Sequence, residues 1–146
     1  MQKRIFILIL MFAVAVFCRA ETVRDVAQAA GKGTMVLAYG SDWSASGRKV
    51  RGVFRSAAFR NAVSSRYVLG EVDVRDTPTK ESEAANKWAA PGNLESFRLP
   101  ALFLCGKDGH GFLALENIPI TATVPELLAQ VDQYFKEVRN ESDSEK

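Results

Sequence analysis

Thr34-Met35-Val36-Leu37-Ala38-Tyr39 runs directly into Gly40-Ser41-Asp42-Trp43-Ser44-Ala45-Ser46-Gly47-Arg48-Lys49-Val50, and the fold turns on this stretch. The first six residues are a short apolar run of the length a buried strand takes. Gly40, Ser41 and Asp42 are turn formers. Ser44 or Ser46 then stands where a helix needs an N-cap, a side-chain oxygen that accepts a first-turn N–H. Arg48 to Arg66 follows as helix, with Val50, Val53, Phe54, Phe59 and Val63 on one face, and Ser56 is expected to cap a second segment within it.

The same pattern extends both ways. Upstream, Thr22 to Ala30 has apolar residues at helical spacing and stops at Gly31-Lys32-Gly33. Downstream, Tyr67 to Val74 reads as a second strand, and Glu81 to Ala90 as a helix ending before Pro91-Gly92. Pro100 to Cys105 and Gly111 to Leu115 are two further strands. The Lys107-Asp108-Gly109-His110-Gly111 connection joins them as a hairpin, because Asp-Gly adopts the positive φ such turns require. The last helix opens with Thr123 and Glu126 as a capping box and Pro125 in its first turn. Leu127, Leu128, Val131, Tyr134, Phe135 and Val138 form its apolar stripe, and from Asn140 the polar tail is expected to fray. Strand and helix alternate, then two strands precede a helix. The fold class is α/β, a mixed central sheet with helices on both faces.

The chain has 146 residues, 47% hydrophobic and 25% charged, a balance that suits one domain with one core. Met1 to Ala20 has a basic start at Lys3 and Arg4, an apolar run from Ile5 to Phe17, and the small-residue pattern Cys18-Arg19-Ala20. This is the layout of a secretory signal peptide cleaved after Ala20, and its apolar run is shorter than the roughly 20 residues that span a bilayer. The expected organisation is therefore a signal peptide at 1–20, a domain at 21–139 and a polar tail at 140–146, with export to the periplasm or the extracellular space. Lys3, Arg4 and Arg19 leave with the signal, so 19 basic residues become 16 against 17 acidic. That balance gives no electrostatic case for nucleic acid or for a membrane surface. Cys105 becomes the lone thiol of the mature chain, which excludes an internal disulfide.

The element order, together with two local motifs, resembles the thioredoxin-like superfamily. Gly40 to Val50 is similar to the active-site turn of its secreted members, in which a strand runs into an acidic residue, a Trp and a Cys-x-x-Cys that opens a helix. Phe97-Arg98-Leu99-Pro100-Ala101-Leu102-Phe103-Leu104 is similar to the strand whose proline follows a cis bond beside that turn. The likeness covers about residues 22–139. It implies a thioredoxin-like fold, a cis bond between Leu99 and Pro100, and an active-site position at Trp43, Ser44, Ala45, Ser46 and Gly47. The departures lie at that position. The first cysteine falls on Ser44, the second on Gly47, the threonine after the proline on Ala101, and the buried carboxylate of the best-known thioredoxins on Ala38.

Disulfide exchange needs an attacking thiolate and a resolving thiol. A serine hydroxyl stays protonated at neutral pH and glycine has no side chain, so dithiol chemistry is not expected here. The preferred reading is a binding or folding-assistance module in which Trp43, Leu99 and Pro100 flank a groove for an extended peptide or protein segment. One alternative is an enzyme that holds glutathione or another thiol ligand at Ser44 and the helix N-terminus. The other is a structural interaction module with a vestigial site. No cofactor is expected. His110 is the single histidine and has no metal-binding companions, so no metal is expected either, and no Ser–His pair is visible. Cys105, in an apolar run, reads as a small core residue. Asn140-Glu141-Ser142 matches a glycosylation sequon, relevant only in a eukaryotic secretory pathway.

Overall fold

The computed structural model describes residues 22–89, 94–107 and 112–144. In chain order they form α1 (Val23–Ala30), β1 (Gly33–Tyr39), α2 (Ala45–Arg55), α3 (Ala57–Val63), β2 (Tyr67–Asp73), α4 (Lys80–Ala89), a 3-10 turn (Leu94–Ser96), β3 (Ala101–Cys105), β4 (Phe112–Leu115) and α5 (Val124–Ser144). The expected leader at 1–20, the Pro91-Gly92 stop and residues 108–111 of the hairpin connection lie outside the described residues.

Short polar side chains set the helix starts. Thr22 caps α1 and exchanges hydrogen bonds with Asp25 in a capping box, and Gly31 closes the helix in the left-handed conformation at φ 65°. Ser56 ends α2 and caps α3, its Oγ accepting the Phe59 N–H, which splits the long helical stretch where its sequence suggested. At α5 the Glu126 carboxylate accepts the Thr123 N–H at 3.0 Å. This helix continues to Ser144, past the Asn140 at which the sequence suggested fraying. The reason is local: 140–144 contains neither the glycine nor the proline that ordinarily stops a helix.

The sheet order is β2-β1-β3-β4, with β1 parallel to β2 and antiparallel to β3, and β3 antiparallel to β4. β1 is buried along almost its whole length because helices cover both its faces. On one face Met35, Leu37 and Tyr39 pack with Leu102 and Leu104 against Val50, Phe54 and Phe59 of α2 and α3 and Leu127 and Val131 of α5. On the other, Val36, Ala38, Ala101 and Phe103 pack with Val23 of α1 and Ala89 of α4. The period-two alternation of strand side chains thus divides one apolar run between two cores.

β2 lies at an edge of the sheet among the described residues. Its inward groups are fixed at both ends: the Gly33 N–H donates to the Arg66 carbonyl, and the Val74 N–H to the Tyr39 carbonyl. Even-numbered residues therefore face β1, and odd-numbered residues turn their peptide groups outward.

Candidate functional site

The turn that follows β1 is built from residues far apart in sequence. Ser41 donates both its N–H and its hydroxyl to the Asp73 carboxylate, at 2.8 and 2.5 Å. Asp42 accepts the N–H groups of Asp76 and Thr77, each at 3.1 Å. Arg75 lies between the two carboxylates, 3.9 Å from Asp42 and 3.8 Å from Asp73. From the helix side, Arg48 donates to the Ser41 carbonyl at 2.9 Å. Desolvation pushes the Asp42 carboxyl up, but the Thr77 and Asp76 N–H groups and Arg75 outweigh it and hold the group below the usual carboxylate range. Asp73, Arg75 and Asn86 were not legible as site residues, because the partners of Asp73 and Arg75 in the turn lie over 30 residues away and Asn86 meets Asp73 only across the β2–α4 loop, and no local pattern marks them.

The Trp43 indole packs against Gly40. A Cβ added at Gly40 would fall 2.0 Å from the indole Nε1, so only glycine lets the ring lie there. The indole N–H donates to the Val74 carbonyl at 2.7 Å, while 47% of the residue's surface stays exposed. Trp43 thus offers a ring face to solvent with its polar edge already engaged.

Ser44, of the two serines, is the N-cap of α2. Its Oγ accepts the Gly47 N–H at 2.9 Å and lies 3.1 Å from the Ser46 Oγ, and the residue is 7% exposed. Ala45 and Gly47 follow in the first turn. A Cβ built on Gly47 would lie 3.2 Å from the Ser44 Cβ and 3.2 Å from the Tyr39 Cβ, so the pocket a second side chain would use is nearly closed.

Pro100 approaches from the other side. Ala38 pairs with Ala101, and one further step of that register sets Pro100 opposite Tyr39, where the turn begins. The Leu99–Pro100 peptide bond is cis. The segment after β4 secures it, with the Ile118 N–H on the Pro100 carbonyl and the Asn117 N–H on the Arg98 carbonyl. Trp43 and Pro100 therefore border the turn on its β2 and β3 sides respectively. Ala38, at the position of the family's buried carboxylate, is fully buried in the apolar core.

Cys105 is elsewhere. It pairs with Thr34 near the start of β1, five residues before Tyr39 and so about 17 Å of extended chain away from the turn. It is half-buried rather than the enclosed core residue its apolar run suggested, because β3 ends there and Gly106 and Lys107 leave the sheet. His110 lies outside the described residues. Among the described residues no group of three or more His, Cys, Asp or Glu gathers as metal ligands would, and no helix is long and apolar enough to cross a membrane.

No protein-family model matches the chain, and no curated protein sequence matches it. Solved structures do. A structure titled DsbH oxidoreductase superposes at a TM-score of 0.61 with 16% identity, over 80% of this chain and 86% of that one. A disulphide isomerase from Xylella fastidiosa Temecula1 gives a TM-score of 0.43 with 15% identity, over 60% of this chain and 63% of that one. The first likeness, with the mixed sheet, the helix opening on the turn and the strand after Pro100, bears on the fold. The chain has a thioredoxin-like fold.

Proposed function

We propose that this is an exported thioredoxin-fold protein without dithiol chemistry, which holds an extended peptide or protein segment between Trp43 and the Leu99–Pro100 strand entry. One observation carries the reading. At the helix start, where exchange would need two thiols, Ser44 is spent as a buried cap on the Gly47 N–H, and Gly47 has no side chain. The free thiol of Cys105 is about 17 Å of strand away and cannot resolve anything formed at the turn. What the turn keeps is an exposed aromatic face, the kind of surface that anchors a partner. Export rests on the Met1 to Ala20 layout, which intact-mass measurement of the exported chain tests through a start at Glu21.

Two measurements test the rest. Insulin reduction by dithiothreitol should run at the uncatalysed rate with the protein present; acceleration that vanishes in Cys105→Ser overturns the redox half. Carboxymethylated insulin B chain, labelled and followed by anisotropy, should bind the wild type and lose affinity on Trp43→Ala. Equal binding by both, or none by either, overturns the binding half.

A further inference from the structure

Along the outer side of β2 runs a cavity of about 440 Å³, of the size that holds a few residues of peptide. Its floor is the strand from Leu69 to Glu71 and Asp73. One wall comes from α2 and α3, through Arg55 and Arg60, and the other from α4, through Asn86 and Trp88. It does not include Trp43, Ser44 or Pro100, and it meets the turn only at its end, through Tyr39 and Asp73.

The peptide groups at its floor are arranged as a template. Asp73 turns its N–H and C=O outward, and Asn86 meets both: its Oδ1 accepts the N–H and its Nδ2 donates to the carbonyl, each at 2.9 Å. A side-chain amide here stands in for one residue of a neighbouring strand. Glu71 and Leu69, two and four residues back, turn their N–H and C=O the same way by the period of the strand. Those four groups have no hydrogen-bond partner among the described residues. The edge is closed at one end by Asn86 and open where the cavity lies.

The charges at the cavity indicate what its occupant carries. Arg55 is paired with Glu71 at 2.9 Å, and Asp73 is engaged by Ser41 and Arg75. That leaves Arg60, exposed on the α3 wall, as a lining cation with no ion pair among the described residues. Unpaired edge groups at strand spacing recognise another extended backbone, and a free cation beside them favours a carboxylate. We propose that the β2 edge is a second binding site, which takes an extended acidic peptide segment of a partner protein as an added strand, its carboxylate at Arg60 and its backbone on Leu69 and Glu71.

The probe is a labelled peptide of about eight residues that alternates threonine and valine around a central glutamate, with two companions: one with lysine for glutamate, one N-methylated at its central residues. Anisotropy at low salt should show saturable binding of the first. N-methylation should weaken it about tenfold or more, since it removes the donors of the added strand. The lysine peptide should bind more weakly, and Arg60→Glu should lower affinity for the acidic peptide about threefold while narrowing its advantage over the lysine one. Leu69→Pro removes one outward N–H, a change an edge strand tolerates, and should reduce binding again. Should that variant fail to fold, the N-methylated peptide decides the matter on the wild-type protein. Equal affinity for the methylated and unmethylated peptides, or no saturable binding at all, overturns the proposal. So does sedimentation as a dimer that the peptide cannot compete apart, which would seat a second copy of this chain on the edge.

Discussion

Asn86 on α4 holds both outward peptide groups of Asp73, accepting from its N–H and donating to its carbonyl at 2.9 Å each. The Asp73 side chain meanwhile holds Ser41 of the turn. Helix, strand end and turn are thus joined through a single residue. Asn86→Ala removes two hydrogen bonds at a half-buried position and should destabilise the protein by about 1–2 kcal/mol in urea unfolding. Asn86→Asp keeps an acceptor for the N–H, loses the donor to the carbonyl and adds a charge beside Asp73. It should be at least as destabilising at neutral pH.

Gly40→Ala tests the seat of Trp43. The new Cβ would overlap the indole, which must leave its place and with it the Val74 carbonyl. A loss of about 1–3 kcal/mol is expected, in line with other overpacking changes. In a Trp43→Ala background the same substitution should be nearly neutral. A double-mutant cycle by urea unfolding measures this coupling directly.

The turn itself can be asked to take back a disulfide. A Cβ on Gly47 would lie 3.2 Å from the Ser44 Cβ, slightly closer than the roughly 3.5–4.5 Å found across disulfides. Ser44→Cys with Gly47→Cys should therefore pair under mild oxidant after a shift of a few tenths of an ångström, and peptide mapping without reductant would detect it. Ser44→Ala alone removes the cap and should cost about 1 kcal/mol.

Alkaline stability should depend on Tyr67. Burial pushes its hydroxyl well above the ordinary tyrosine value of about 10. The fold favours the neutral form, so stability is complete below that ordinary value and falls as pH rises past it toward the folded one. Tyr39 is raised too, by desolvation against the lowering effect of Arg51, and adds to the same loss. Urea unfolding from about pH 8 to about pH 11 should show a steep decline in the wild type and a shallower one in Tyr67→Phe.

Helix starts and strands were legible because local chemistry sets them. Ser44 and Ser56 take the capping roles open to small hydroxyl residues, and the apolar run from Thr34 to Tyr39 is the central strand. Cys105 was misread because a short apolar run does not reveal where a strand leaves its sheet. The clasp among Ser41, Asp42, Asp73 and Arg75 was invisible for another reason. Its partners are separated by more than 30 residues, and only the parallel register of β1 and β2 brings the two loops together. The open edge at Leu69 and Glu71 was equally hidden, since strand order is a property of the assembled sheet.

The clasp has a further consequence for anyone who would transplant this turn. Residues 41–43 cut out and grafted onto another scaffold would arrive without Asp73 to receive Ser41, without the Asp76 and Thr77 amides to hold Asp42, and without the Val74 carbonyl to anchor Trp43. The partners that fix the loop's shape lie in a segment over thirty residues downstream. The transferable unit is the pair of parallel strands with both of their exit loops.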